Sequence, residues 1–258
     1  MANLFDIKLV FTQIPDILRY LPTTLLLTAE AMAVGLVLGL LIALVRIKKI
    51  PVLTQLSSVF ISIVRGTPII VQLYVVYFGI PIALKYINYY YGTSFNINAI
   101  PGIVFAMIAL GFNQSAFDSE TIRSAILSVD KGQIEAAESM GMTGRQVLMR
   151  VIVPQAGAVA LVPLGNSLIN LIKGTSLAFT CAVVEMTAEG KIIAGRNYRY
   201  FEVYCSLAII YWVITFILER VMKLLENRIS VPEEAPTGER RGFLGGIFRR
   251  KRNAGGTA

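Results

Sequence analysis

The chain has 258 residues, 55% of them hydrophobic and only 16% charged, with a formal net charge of +8 and no histidine. A soluble domain carries roughly a quarter charged residues, whereas a helical membrane protein is apolar on its lipid-facing surface as well. The absence of histidine excludes a Ser-His or Cys-His catalytic pair and argues against a zinc site. The basic residues sit in loops between apolar runs, as membrane orientation requires, which argues against nucleic-acid binding.

The first residues carry Asp6, Lys8, Asp16 and Arg19 and lack the compact apolar core of a cleavable signal peptide. The first predicted span runs from Leu21 to Val45. Arg46, Lys48 and Lys49 follow it, and such a basic cluster puts that end in the cytoplasm and the N-terminus outside. Pro51 to Val64 is expected along the inner surface, with Thr67 capping and Pro68 starting the second span, which ends near Leu84. The alternative is one long helix from residue 56, bent at Gly66 and Pro68. An outer loop begins with Tyr86, Tyr89, Tyr90 and Tyr91, residues suited to headgroup level or to loop packing.

The third span is predicted from Ile100 to Phe117, followed by a polar segment from Asp118 to Arg150. The fourth span, Val153 to Ile172, contains Pro154, Pro163, Asn166, Ser167 and Asn170. Lys173-Gly174-Thr175 breaks the pattern, and Ser176 to Val184 is too short to cross, so it reads as a half-helix or re-entrant segment. Thr187 to Tyr200 is predicted as a polar outer loop and Tyr204 to Leu225 as the last span. The expectation is an all-α integral membrane protein of about five transmembrane helices, N-terminus out and C-terminus in. Residues 1–20 would form an extracytoplasmic segment, 21–227 the membrane domain and 228–258 a basic, disordered cytoplasmic tail, in which Phe243 to Arg252 could touch anionic lipid. Cys181 and Cys205 are read as packing residues, with a disulfide left open.

Within the large cytoplasmic segment stands Gln133-Ile134-Glu135-Ala136-Ala137-Glu138-Ser139-Met140-Gly141, and nine residues later Val151-Ile152-Val153-Pro154. This resembles the EAA loop of the importer permeases: Glu-Ala-Ala, three residues, Gly, nine residues, then Ile-x-Leu-Pro. Val151 and Val153 depart from Ile and Leu but keep apolar bulk. Arg65-Gly66-Thr67-Pro68, Val71-Gln72-Leu73, Ala116 to Arg123 and Lys173-Gly174-Thr175-Ser176-Leu177 resemble the polar amino-acid group, which serves histidine, glutamine, arginine and cystine. The resemblance covers Leu21 to Asn227.

That resemblance implies a MetI-like permease fold, a second permease copy as homodimer or heterodimer, two ATPase subunits inside and an extracytoplasmic amino-acid-binding protein. Glu135, Ala136, Ala137, Glu138, Gly141 and Pro154 would couple the chain to the ATPase. No cofactor is expected on this chain, since ATP and Mg would bind the partner; there is no Walker A pattern. Polar groups inside a membrane are costly, so each is a functional candidate. Glu30 either contacts a substrate ammonium or pairs with a basic residue such as Arg65. Gln72, Asn113, Gln114, Asn166 and Asn170 either line a polar path or bond neighbouring helices. Lys173, Thr175 and Ser176 either receive a carboxylate at a half-helix N-terminus or mark a structural break. A channel without an ATPase, and an enzyme built on Asp118 and Glu120, are the rival readings.

Overall fold

A backbone placed among hydrocarbon must satisfy its own N–H and C=O groups, and a helix does so within one segment. The computed structural model describes residues 5–229, and among them there is no strand. Two short helices, α1 (Ile7–Thr12) and α2 (Ile14–Leu18), lead into α3 (Leu21–Ile47). Then come α4 (Leu53–Gly66), α5 (Ile69–Tyr91) and α6 (Gly102–Leu127). A helical hairpin, α7 (Lys131–Ser139) and α8 (Gly144–Val147), passes through a π-turn, Leu148–Ile152, into α9 (Val153–Gly174). A 3₁₀ segment, Thr175–Cys181, then α10 (Met186–Asn197) and α11 (Tyr200–Ile229) complete the described chain.

Among the described residues, α3, α5, the run Gly144–Cys181 and α11 are each long and apolar enough to cross a membrane. α6 has the length but carries Asn113, Gln114 and Asp118. It is the central helix and packs against α3, α4, α5 and α9, so protein rather than lipid meets its polar face. Its contact with α3 depends on small residues. An added Cβ at Gly35 would stand 2.8 Å from Asp118 Oδ2, and one at Gly39 would stand 3.0 Å from the Ser119 backbone nitrogen. Glycines four apart open a groove on α3 into which α6 settles. At the far end of this seam Arg46 pairs with Glu120, which also holds Arg123 at 2.9 Å. α5 runs antiparallel to α6: Gln72 meets Asn113 and Tyr77 meets Phe105 edge-on at 5.6 Å.

Several expectations change. The third span does not end at Phe117: α6 continues to Leu127, and Asp118 is fully buried within it. Thr67 does not cap α5. Its hydroxyl donates to Ile63 O at 2.9 Å, closing α4, and Pro68 takes the N-cap position. α4 leans along α3 and α6, with Phe60 edge-on to Phe112 at 6.2 Å. Tyr86 to Tyr91 form the last turns of α5, not a loop, and Gly92 ends the helix with φ +64.

Met186–Asn197, predicted as a loop, is a helix because the fully buried Glu185 caps it, accepting from Ala188 N at 2.8 Å and Thr187 N at 2.9 Å. Residues 5–20 do not stand apart: Ser206 Oγ donates to Val10 O at 2.6 Å and Asp6 N donates to Glu202 at 3.3 Å, seating α1 on the start of α11. Cys181 and Cys205 are free thiols. The tail from Ser230, with Phe243 to Arg252, lies outside the described residues.

Candidate functional site

Two places hold the chemistry: a hairpin at one end of the bundle and a polar cavity within it. The hairpin is built by local signals. Asp130 caps α7 through Gly132 N at 2.7 Å. Thr143 and Gln146 form a reciprocal capping box that starts α8. Gly141 makes the turn at φ +79, a left-handed conformation that glycine adopts without steric cost. Ile134 packs on the Val129 and Ala156 cluster, which ties α7 to the ends of α6 and α9, and Gln155 donates to Gln133 at 2.5 Å. Anchored this way, α7 buries Ala137 and leaves Glu135, Ala136 and Glu138 exposed. Met140 is 86% exposed. An uncovered methionine beside two carboxylates and a small alanine is a surface suited to a protein partner. Pro154 stands in the first turn of α9, directly after the π-turn Leu148–Ile152; a distortion of the helix ladder is the usual companion of a proline inside a helical run.

The cavity, about 250 Å³, opens between α5, α6 and α9. Asn113, Gln114, Ser167 and Asn170 supply its polar wall, with Ile69 and Phe117 on the apolar side. Gln114 donates to Asp118 Oδ1 at 2.8 Å and to Ser167 Oγ at 2.6 Å; Ser167 donates to Asp118 Oδ1 at 3.1 Å. Asn113 donates to Gln72 Oε1 at 2.9 Å. Gln72 in turn donates to Val64 O, Thr67 O and Thr67 Oγ1 at 2.7, 3.0 and 2.8 Å, bracing the α4–α5 joint.

Of the predicted path residues, then, Asn113, Gln114 and Asn170 meet in one cavity and Gln72 stands directly behind them. Asn166 is turned away, toward a second cavity of about 230 Å³ shared with Glu219, Lys223 and Glu226 of α11. Arg65 lies over the Phe117 ring, 5.4 Å from its centroid, and does not pair with Glu30. Glu30 is half-buried on α3, its Oε2 enclosed without a hydrogen bond.

The half-helix at Ser176 is overturned. α9 passes into the 3₁₀ segment without a break, and the Thr175 N–H bonds Leu171 O and Lys173 O. The buried Thr175 hydroxyl is spent on Ile172 O at 2.7 Å. No free amides converge there; Lys173 is exposed and Ser176 half-buried. Asp118 is the residue whose part in the site the sequence reading missed. Its signal was present: Gln114 and Asp118 lie one helical turn apart, and so share a face.

The comparisons with known proteins match this architecture along most of the chain. The family described as "Binding-protein-dependent transport system inner membrane component" matches residues 35–231. "Probable amino-acid permease protein YxeN" of Bacillus subtilis (strain 168) is 40% identical over 230 residues, covering 89% of this chain and 98% of that protein. "L-cystine transport system permease protein TcyL" of the same organism is 36% identical over 230 residues, with 89% and 94% coverage. A solved structure, "Crystal structure of an amino acid ABC transporter with histidines", contains a chain that superposes with a TM-score of 0.73 at 34% identity, covering 87% of this chain and 99% of that one. The all-α membrane architecture, the exposed hairpin and these likenesses agree, and the chain belongs to the family of binding-protein-dependent transport system inner membrane components.

Proposed function

We propose that this chain is the membrane-spanning permease subunit of an ATP-driven importer for a polar amino acid. The observation that carries the reading is the exposed α7–α8 hairpin with Glu135, Glu138 and Met140, joined by one continuous helical run to the wall of a polar cavity. In this reading α3, α5, α6, α9 and α11 are the five spans. The N-terminus is outside, because Arg46, Arg123 and the hairpin's Lys131 and Arg145 collect at one end, as basic residues do on the cytoplasmic side.

Two ATPase subunits hold ATP and Mg and dock on the hairpin; an extracytoplasmic binding protein delivers the substrate. Asn170 and Lys173 form an exposed polar stripe on α9, which lipid would not tolerate. A second permease copy, identical or similar, covers that stripe and completes the path. The name of the TcyL relative makes L-cystine the first substrate to try.

The test is co-purification from the native membrane with and without Glu135→Arg, reading partners by mass spectrometry and ATPase activity, followed by uptake of L-cystine and other polar amino acids into liposomes. An ATPase recovered with the native chain and lost with the variant supports the reading. No ATPase in either sample overturns it in favour of a channel or ATP-independent carrier.

A further inference from the structure

Gln114 is 5% exposed and forms part of the cavity wall. Its amide nitrogen has two protons, and they face Asp118 Oδ1 and Ser167 Oγ, with Met32 Sδ further off at 3.8 Å. Asp118 Oδ1 accepts from both Gln114 and Ser167. Asp118 therefore fixes which way the amide is turned: nitrogen toward Asp118, carbonyl away from it. Asn113 is fixed in the same sense by a different partner. Its nitrogen is taken by Gln72 Oε1, and that oxygen is on offer because the Gln72 nitrogen is already spent on the α4–α5 joint. No described residue donates to Gln114 Oε1 or to Asn113 Oδ1. Gln114 thus withholds both its donors from the cavity and leaves its acceptor free, while Asn113 turns one N–H toward Gln72 and keeps its acceptor free.

Taking the amino-acid permease reading as its basis, we infer that this cavity receives the ammonium end of a zwitterionic substrate, with Asp118 as the positioning residue that aims the Gln114 carbonyl. An ammonium group carries donors and no acceptor, so it complements such a wall. A carboxylate would meet the negative end of the Gln114 carbonyl dipole, with both Gln114 donors already taken. The polarity originates behind the cavity surface, in Asp118 and Gln72, with Ser167 of the wall bonded to both Asp118 and Gln114.

The test reads this polarity without transport. In the intact complex in liposomes, Asn170→Cys places a thiol at the cavity in a Cys205→Ser background; Cys181 is fully buried. Its rate of modification is measured with aminoethyl methanethiosulfonate, which carries an ammonium, and with sulfonatoethyl methanethiosulfonate, which carries a sulfonate. In each case the thiolate displaces methanesulfinate and forms a mixed disulfide, so the ratio of the two rates cancels the reactivity of the thiol. The ratio is normalised to that of a small thiol in solution.

The expected result is an excess of about tenfold or more for the ammonium reagent, the ratio that one hydrogen bond to a charged group supplies. Asp118→Asn can donate to Gln114 Oε1 and turn the amide round, so the excess should vanish or reverse. Gln114→Leu removes the acceptor and should abolish it, which decides the matter if Asp118→Asn does not fold. A normalised ratio at or below one, or an excess unchanged in both variants, overturns the inference. If the ratio fails while the ATPase still binds through Glu135, the transport reading stands and only the polarity is wrong.

Discussion

Gly39→Ala adds one methyl to the seam between α3 and α6. The new Cβ would lie 3.0 Å from the Ser119 backbone nitrogen, 3.2 Å from Asp118 Cβ and 3.3 Å from the Asp118 carbonyl carbon. Favourable contacts lie at about 3.5–4.0 Å, so a separation of roughly half an ångström is needed. Two of the three obstructing atoms are backbone, and no rotamer change moves them; α3 must retreat as a rod. A gap of that size forfeits a quarter or more of each dispersion contact it opens, and overpacking of this kind costs about 1–3 kcal/mol.

Gly79→Ala and Gly157→Ala serve as controls, because an added Cβ there meets nothing within 4 Å; in a helix that change is neutral or stabilising by up to about 1 kcal/mol. Thermal unfolding of the purified protein in mild detergent, followed through the lone Trp212, should show Gly39→Ala melting several degrees below wild type and both controls at or above it. If Gly39→Ala melts with the controls, α3 and α6 do not approach as described.

Three further outcomes are expected. Gln72→Leu removes the side-chain bonds to Val64 O and Thr67 O and frees Asn113; a hydrogen bond of this kind contributes about 0.5–1.5 kcal/mol, and protease cleavage between α4 and α5 should quicken while cleavage near α10 does not change. Glu185→Gln puts at least one N–H where Ala188 N, Thr187 N or the Tyr211 hydroxyl now donates, so hydrogen exchange should rise in α10 and leave the α3–α6 seam protected. Met140→Lys, on a side chain that touches little of its own chain, should keep the melting temperature within a degree or so and weaken ATPase co-purification; full retention of the ATPase would remove Met140 from the docking surface.

The spans were legible because run length and hydrophobicity are summed over many residues, and no single contact has to be known. The hairpin was legible because Glu135, Gly141 and Pro154 stand at fixed spacing and each acts locally, as rim, turn and first-turn proline. What escaped depends on partners far along the chain. Met186–Asn197 looked like a loop because its polar residues hide its helicity, and the cap that secures it is a carboxylate buried by Tyr211, a residue well downstream. Gly174 and Thr175 looked like a break because both residue types end helices elsewhere; here the Thr175 hydroxyl folds back on Ile172 O and the run goes on. Asp118 was taken as the first residue of a polar loop because its charge dominated the reading. Gln114 was within local reach, one turn away, but only the third dimension supplies Gly35 and Ser167 to enclose it.

The unbroken stretch from Gly144 to Cys181 has a mechanical consequence. It is a crankshaft, carrying angle as well as displacement. With a rise of about 1.5 Å per residue, Arg145 and Asn170 are roughly 37 Å apart on one rod, so a twist applied beside the hairpin arrives at the cavity as a change of phase. A single inserted residue between Val153 and Gly165 would rotate everything beyond it by about 100°. Asn170 would leave the cavity although no functional side chain had been altered. Homologous chains should therefore vary in length before Thr143 or after Ala182, where turns absorb the change, and hold the count fixed in between.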